Sequence, residues 1–297
     1  MRVVLILLFA LNLFALKIEF LDTKILPNKK VGSYKFTGIS DIAYDKNRDI
    51  FYALSDYGNI FELKIGIDTN SGKIKNIEYL KAKRLKDFKR TRIVKKRLDS
   101  EGLAIDGDDL LISFEGSSRI NRYSKDFKLK SRVKLPKDLA KWTKRDLSGD
   151  GFEALTYSKK RGFITLREKP LFLEKKGFHT IFDSHGKICS FRVDPNFKAV
   201  TEIEILDDGN LLALFREFSF KHLSFMVAIK KIYINSSKNG ICEVKTISIL
   251  DGSKDGSIDN FEGLTRYKKD LYLMISDDNN NIFQKTILKV FRLKDDR

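Results

Sequence analysis

The chain has 297 residues, 57 Lys plus Arg against 40 Asp plus Glu, and a formal net charge of +17. Four prolines and no Pro- or Ser-rich stretch exclude an obvious linker, so one continuous domain with a sizeable core is expected. The basic balance invites a polyanionic partner, but no zinc-knuckle, helix-turn-helix or aromatic stacking signature accompanies it, which argues against nucleic acid.

Residues 1–15, MRVVLILLFALNLFA, join Arg2 to an uninterrupted apolar run that ends on the small residue Ala15. Such a run is short for a membrane anchor and has the charged start and small-residue end of a cleaved secretory signal. The expectation is therefore an exported, periplasmic or secreted protein, with a signal at 1–15, a single domain at 16–297 and no transmembrane helix in the mature chain. Cys189 and Cys242 suit such a compartment, either as a disulfide or as two buried thiols.

Five related segments follow in chain order: SDIAYDKNRDIFYALSD from Ser40, EGLAIDGDDLLISFE from Glu101, EALTYSKKRGFITLRE from Glu153, EIEILDDGNLLALFRE from Glu202 and EGLTRYKKDLYLMISD from Glu262. Each divides at a turn such as Asp106-Gly107, Asp208-Gly209 or Lys268-Lys269, and so reads as a hairpin. The second halves are almost wholly apolar, as strands buried on both faces must be. Further strands are expected at ICSFRV, FMVAIKKIYI and ILKVFRL, and helix signals are weak throughout. Repeats of this size point to an all-β fold, a β-propeller of mostly four-stranded antiparallel blades. Five blades are expected, or six if one hairpin has diverged, with a strand near Lys17 to Leu26 closing the ring.

An antiparallel hairpin brings the start of its first strand and the end of its second to one sheet edge. Both places carry acids: Glu101 with Glu115, Glu153 with Glu168, Glu202 with Glu217, and Glu262 with Asp277 or Asp278, while the first unit offers Ser40, Asp41 and Asp56. A propeller would gather them at one mouth of its channel. At about 5 Å and an effective dielectric near 20, each like-charge pair costs roughly 3 kcal/mol. A cation, partner cations or protonation must offset that cost. Arg119, Arg167 and Arg216 lie near these strand ends, where they either pair with the acids or bind a substrate's negative charge.

Two loops carry a calcium-like spacing. Asp251, Ser253, Asp255, Asp259 and Glu262 fall at positions 1, 3, 5, 9 and 12 around Gly256, and Asp146, Ser148 and Asp150 begin the same pattern. Turn formation alone accounts for the same residues. The densest basic run, Lys81 to Arg97, reads as a solvated loop or a site for lipid phosphate or a phosphorylated ligand.

The segments Gly38-Ile39-Ser40-Asp41, Asp99-Ser100-Glu101-Gly102-Leu103, Gly151-Phe152-Glu153-Ala154-Leu155, LLALFRE and Asp259-Asn260-Phe261-Glu262-Gly263-Leu264, closed by SDDNNNIFQKTILKVFRL, resemble the phytase-like, "esterase-like activity of phytase" family of secreted bacterial proteins. The resemblance runs from about Thr37 to Leu293. It implies an exported propeller, hydrolysis of phosphoric or carboxylic esters in some relatives, and Glu101, Glu153 and Glu262 as the acids of the repeated motif. Calcium at an acidic mouth would suit a phosphoesterase on a small-molecule ester or phosphorylated ligand, with these glutamates as ligand or general base. The other class of function is a non-catalytic propeller that binds a small ligand, glycan or envelope protein at the same mouth. A serine esterase is disfavoured, since no Gly-x-Ser-x-Gly elbow is present and only His179, His185 and His222 are available as bases.

Overall fold

A strand apolar on both faces is stable only between two other layers, and this condition organises the chain. The computed structural model describes residues 16–88, 98–115, 118–143, 151–170 and 177–295. The expected signal, the Asp146 to Asp150 loop and the 89–97 part of the basic run lie outside the described residues.

Strand β1 (Leu16–Ile25) is followed by a small hairpin of β2 (Lys30–Val31) and β3 (Tyr34–Lys35). Blade 1 comprises β4 (Ile39–Asp45), β5 (Ile50–Ser55), β6 (Asn59–Ile67) and β7 (Ile74–Arg84). Blade 2 comprises β8 (Ser100–Asp106), β9 (Asp109–Phe114), β10 (Arg119–Ser124) and β11 (Leu129–Arg132). The short helix α1 (Lys137–Thr143) leads to blade 3, formed by β12 (Ala154–Ser158), β13 (Gly162–Leu166), β14 (Phe178–Asp183) and β15 (Gly186–Arg192). Blade 4 is β16 (Ala199–Ile205), β17 (Leu211–Ser219), β18 (Ser224–Lys238) and β19 (Ile241–Asp251). Blade 5 takes β20 (Asn260–Arg266), β21 (Leu271–Asp277) and β22 (Ile287–Asp295), and is completed by β1.

The first strand of each blade touches that of the next, in the closed order β4, β8, β12, β16, β20 and back to β4. This is a five-bladed β-propeller, fastened by β1 against β22 from Leu16 opposite Asp295 to Ile25 opposite Ile287. Five apolar clusters fill the five gaps between blades. Alternation along β5 shows how: Phe51 and Ala53 enter the cluster shared with blade 5, whereas Tyr52 and Leu54 enter the one shared with blade 2. The apolar second strands of the repeat are therefore buried on both faces. Helix α1 is the departure from the expected all-strand pattern. It is held by buried Leu139 and by Trp142 edge-on to Phe182 at 5.5 Å.

Cys189 and Cys242 form a disulfide with Cα atoms 5.8 Å apart. It ties the outer strands of blades 3 and 4, beside the parallel contact of Ser190 with Ile241. A loop of 53 residues closed in this way stabilises the fold by about 4 kcal/mol in the chain-entropy description.

Close approach of inner strands requires the absence of a side chain at two places. A Cβ on Gly102 would meet the Glu153 carbonyl at 2.6 Å, and one on Gly263 would meet the Ile42 nitrogen at 2.8 Å and the Asp41 Cα at 2.9 Å. Backbone cannot swing aside as a side-chain tip can. Gly263→Ala is expected to cost about 1–3 kcal/mol, the usual range for overpacking, and to lower the melting temperature by several degrees. Gly256→Ala, where a Cβ meets nothing within 4 Å, is expected to leave it unchanged.

Candidate functional site

Strand register fixes which residues of the five blades are equivalent. Ile42 faces Ala53, Leu103 faces Ile112, Leu155 faces Thr165, Ile203 faces Ala213 and Leu264 faces Met274. Two residues before the first member of each pair stand Ser40, Glu101, Glu153, Thr201 and Glu262. Three residues beyond the second stand Asp56, Glu115, Glu168, Arg216 and Asp277. These two rings surround the mouth.

This register corrects one expectation. Glu202 is not the counterpart of Glu101, because blade 4 is offset by one residue from the alignment that its acid suggests. Thr201 holds that position, and Arg216, not Glu217, occupies the second ring. Glu217 instead accepts from the Lys198 amide at 3.3 Å and pairs with its ammonium at 3.5 Å. A one-residue shift in a strand redirects every side chain, so the offset sends Glu202 into the channel.

Blade 4 thus supplies the one cation of the two rings. The Arg216 guanidinium lies 2.6 Å from Glu168 and 2.5 Å from Glu262, and also donates to Asn260, which itself donates to Glu262 at 2.8 Å. Burial works to raise Glu168, but Arg216 and Lys169 outweigh it and hold this carboxyl below its usual range. Glu262 is raised by burial despite Arg216. Asp277 is pushed up to about 9 by burial and by the nearby Glu262.

Glu101 and Glu153 have no such relief. Among the described residues neither has a hydrogen-bond or ion-pair partner. Burial first, and then the surrounding carboxylates, lift both well above the ordinary glutamate range. Glu153 is only 8% exposed. Beside Glu101, the oxygens of Asp99 and Glu115 lie within 4.8 Å of its own and of one another, a span that one metal ion can bridge. The Glu115 amide donates to the Asp99 carbonyl at 2.9 Å, and a Glu115 carboxylate oxygen accepts from the Gly151 amide at 3.2 Å, so both acids are fixed by backbone.

The other expected ligands and cations are placed differently. Asp251 accepts from the Ser253 amide and hydroxyl, Asp255 from the Ser257 amide, and Asp259 from the Asn260 and Lys285 amides. Glu262 turns away to Arg216. The 251–262 loop therefore folds on its own turns, and its acids are not among the described groups close enough to share an ion. Arg119, 3% exposed, pairs with Asp87 at 2.7 Å and stacks on Phe114, and Arg167 lies against Phe152, Trp142 and Thr180. Arg216 pairs with the carboxylates of Glu168 and Glu262, whereas Arg119 meets this ring through the Glu115 carbonyl at 3.5 Å. His179 is buried on Phe191 with its Nε2 at 3.0 Å from the Lys198 carbonyl, and burial lowers its pKa to about 4. That ring is a packed core group with no serine partner.

One layer below the rings, where three blades have Gly102, Ala154 and Gly263, the other two carry Asp41 and Glu202, each 1% exposed. Asp41 accepts from the amides of Ile42 and Leu103 at 2.7 and 2.6 Å, and Glu202 from those of Ile203 and Leu155 at 2.7 and 3.0 Å. Each carboxyl ties its own blade to a neighbour. Burial, with the other carboxyl close by, raises both groups well above their usual range. The small residues of the other blades leave room for the two carboxyls.

Because the folded state retains a proton on these carboxyls above the pH at which the unfolded chain releases it, the pair's contribution is full in acid and is lost as pH rises through the folded titration. Glu202→Gln provides a permanent donor. Its melting temperature relative to the unsubstituted chain is expected to increase steadily from pH 5 to pH 9, and parallel profiles would contradict the retained proton.

Comparison with known proteins agrees with the repeated acids. Residues 34–280 match the family model described as Phytase-like, esterase-like activity of phytase. No curated protein matches the chain. Among solved structures, a glutaminyl cyclase from Myxococcus xanthus aligns with a TM-score of 0.49 and 12% identity over 96% of this chain and 99% of that one. A nidogen/laminin complex aligns with a TM-score of 0.44 and 12% identity over 90% and 87%. At that distance neither likeness informs function. The family match spans more than four fifths of the sequence and contains all five blades' motif positions: the chain belongs to the phytase-like, esterase-like activity of phytase family.

Proposed function

We propose that this chain is an exported, calcium-dependent ester hydrolase, acting on phosphoric in preference to carboxylic esters at the mouth lined by Glu101, Glu153 and Glu262. One observation carries the reading: Glu101 and Glu153 are carboxylates crowded among other acids, with no cation paired to them among the described residues. Charge of this kind is offset by protons or by a bound cation. With Asp99 and Glu115 beside Glu101, the donor set is all oxygen, which suits a hard ion such as calcium. Calcium held there would supply Lewis-acid polarisation of the ester.

The residues then divide their roles. Asp99, Glu101 and Glu115 would hold the ion. Glu153, which no donor among the described residues engages, is the general base that takes a proton from the attacking water. Glu262 and Glu168 are locked by Arg216, which makes that guanidinium a positioning group, already committed to two carboxylates. The substrate is a small phosphorylated or otherwise esterified molecule. Export is supported by the Cys189–Cys242 disulfide, since such bonds persist in oxidising compartments. Among the described residues no helix is long and apolar enough to cross a membrane.

Hydrolysis of phytate, an aryl phosphate and an aryl acetate, each with calcium and with chelator, tests the proposal. Turnover is expected with calcium alone. Glu153→Gln should lower it by about a hundredfold or more while calcium still binds, whereas Glu101→Gln should lose both calcium binding and turnover. Calcium binding without turnover on any substrate would favour the ligand-binding propeller. No calcium binding at all would overturn the metal site.

A further inference from the structure

Two turns on the mouth side carry apolar tips. Strands β17 and β21 both run toward the mouth, delivering Arg216 and Asp277 to its ring, and both continue into turns beyond it. The first turn exposes Phe220 by 84% and Leu223 by 78%, and the second exposes Ile282 by 90% and Phe283 by 85%. These are the four most exposed large apolar residues described, and they sit on adjacent blades of one face. Isolated exposed apolar residues are ordinary; four at the ends of two neighbouring turns are not.

Leu223 makes the arrangement harder to explain by folding. Its φ of 49° lies in the left-handed region, where a glycine or asparagine would be at ease. The position therefore bears backbone strain to present a leucine that packs on almost nothing. Phe218, by contrast, stacks edge-on with Phe220 at 5.2 Å and with Phe225 at 5.1 Å, which braces the turn.

Lysines flank the tips. Lys221 lies within the first turn and Lys285 closes the second, and both are exposed. On the same side Lys35 of the β2–β3 hairpin reaches Asn280 at 2.8 Å, and Lys254 is 83% exposed. The acids of the two rings are recessed among the inner strands, while the apolar tips carry lysines beside them; half-exposed Asp255 lies in the same loop as Lys254.

We propose that this face docks on an anionic membrane surface, with Phe220, Leu223, Ile282 and Phe283 entering the headgroup and acyl boundary and Lys221 and Lys285 meeting lipid phosphates. Protruding points suit a deformable lipid interface, whereas a protein interface of ordinary size needs a continuous complementary patch. The net charge of +17 adds long-range attraction to anionic lipid. Docking in this way presents the mouth to the bilayer. The inference is independent of catalysis and stands whether or not the mouth hydrolyses esters.

Cosedimentation of the purified chain with phosphatidylcholine vesicles, alone and mixed with phosphatidylglycerol, tests it. Binding to the mixed vesicles is expected, weaker in high salt. The combined Phe220→Ser, Leu223→Asn, Ile282→Ser and Phe283→Ser variant should bind about tenfold more weakly or less, with its melting temperature unchanged or raised. Lys221→Glu with Lys285→Glu should abolish the preference for anionic vesicles. Absence of vesicle binding, or binding that the tip substitutions leave unchanged, would overturn the proposal. So would a dimer in sedimentation velocity that those substitutions dissociate without any vesicle binding, since it would assign the face to a second copy.

Discussion

Closing five sheets into a ring forces the ends of ten strands to one mouth, and the sequence places acids at most of them. Asp56, Glu101, Glu115, Glu153, Glu168, Glu262 and Asp277 share that space with a single ring cation, Arg216. Everything else at the mouth follows from how this charge is distributed. Arg216 neutralises the pair on either side of blade 4, Glu168 and Glu262. On the proposed reading a cation sits on the other side, beside Asp99, Glu101 and Glu115, whose oxygens lie within 4.8 Å of one another.

The layer beneath solves a different problem with the same chemistry. Asp41 and Glu202 spend oxygens on inner-strand amides of neighbouring blades, and burial raises both carboxyls well above their usual range. The ring above gathers its acids at the mouth. This one uses them as cross-links. Gly102, Ala154 and Gly263 make the division possible, because a larger side chain in any of the three would occupy the channel or clash with the next strand.

Much of this architecture was legible in the residues. Period-two alternation, turns at Asp106-Gly107 and Asp208-Gly209, and doubly apolar second strands lead to hairpins buried between blades, and the count of five segments equals the count of blades. The closing strand near Lys17 was also legible, since a sixth partnerless apolar strand must pair somewhere. What the sequence could not reveal is register. Glu202 begins a segment that looks like the others, yet blade 4 shares the inner-strand bulge of blades 1, 2 and 5, and Thr201 holds the bulge position, so Glu202 lies one place further in and Arg216 falls in the second ring. In the 251–262 loop the Asp residues accept from local amides, as turn formation alone requires, because ligand spacing in sequence does not fix where side chains point. Arg119 and Arg167 had the right sequence distance from the mouth, but strand alternation carried them to other partners.

The central claim is that buried carboxylates at the mouth exchange protons for a cation. Adding calcium to the metal-free protein in weakly buffered solution at pH 7, and following released acid with a pH-stat, measures this directly. Binding is expected to liberate protons, and the release should shrink in Glu153→Gln and disappear with binding in Glu101→Gln. Calcium binding with no proton release, or release unaffected by both substitutions, would contradict the account.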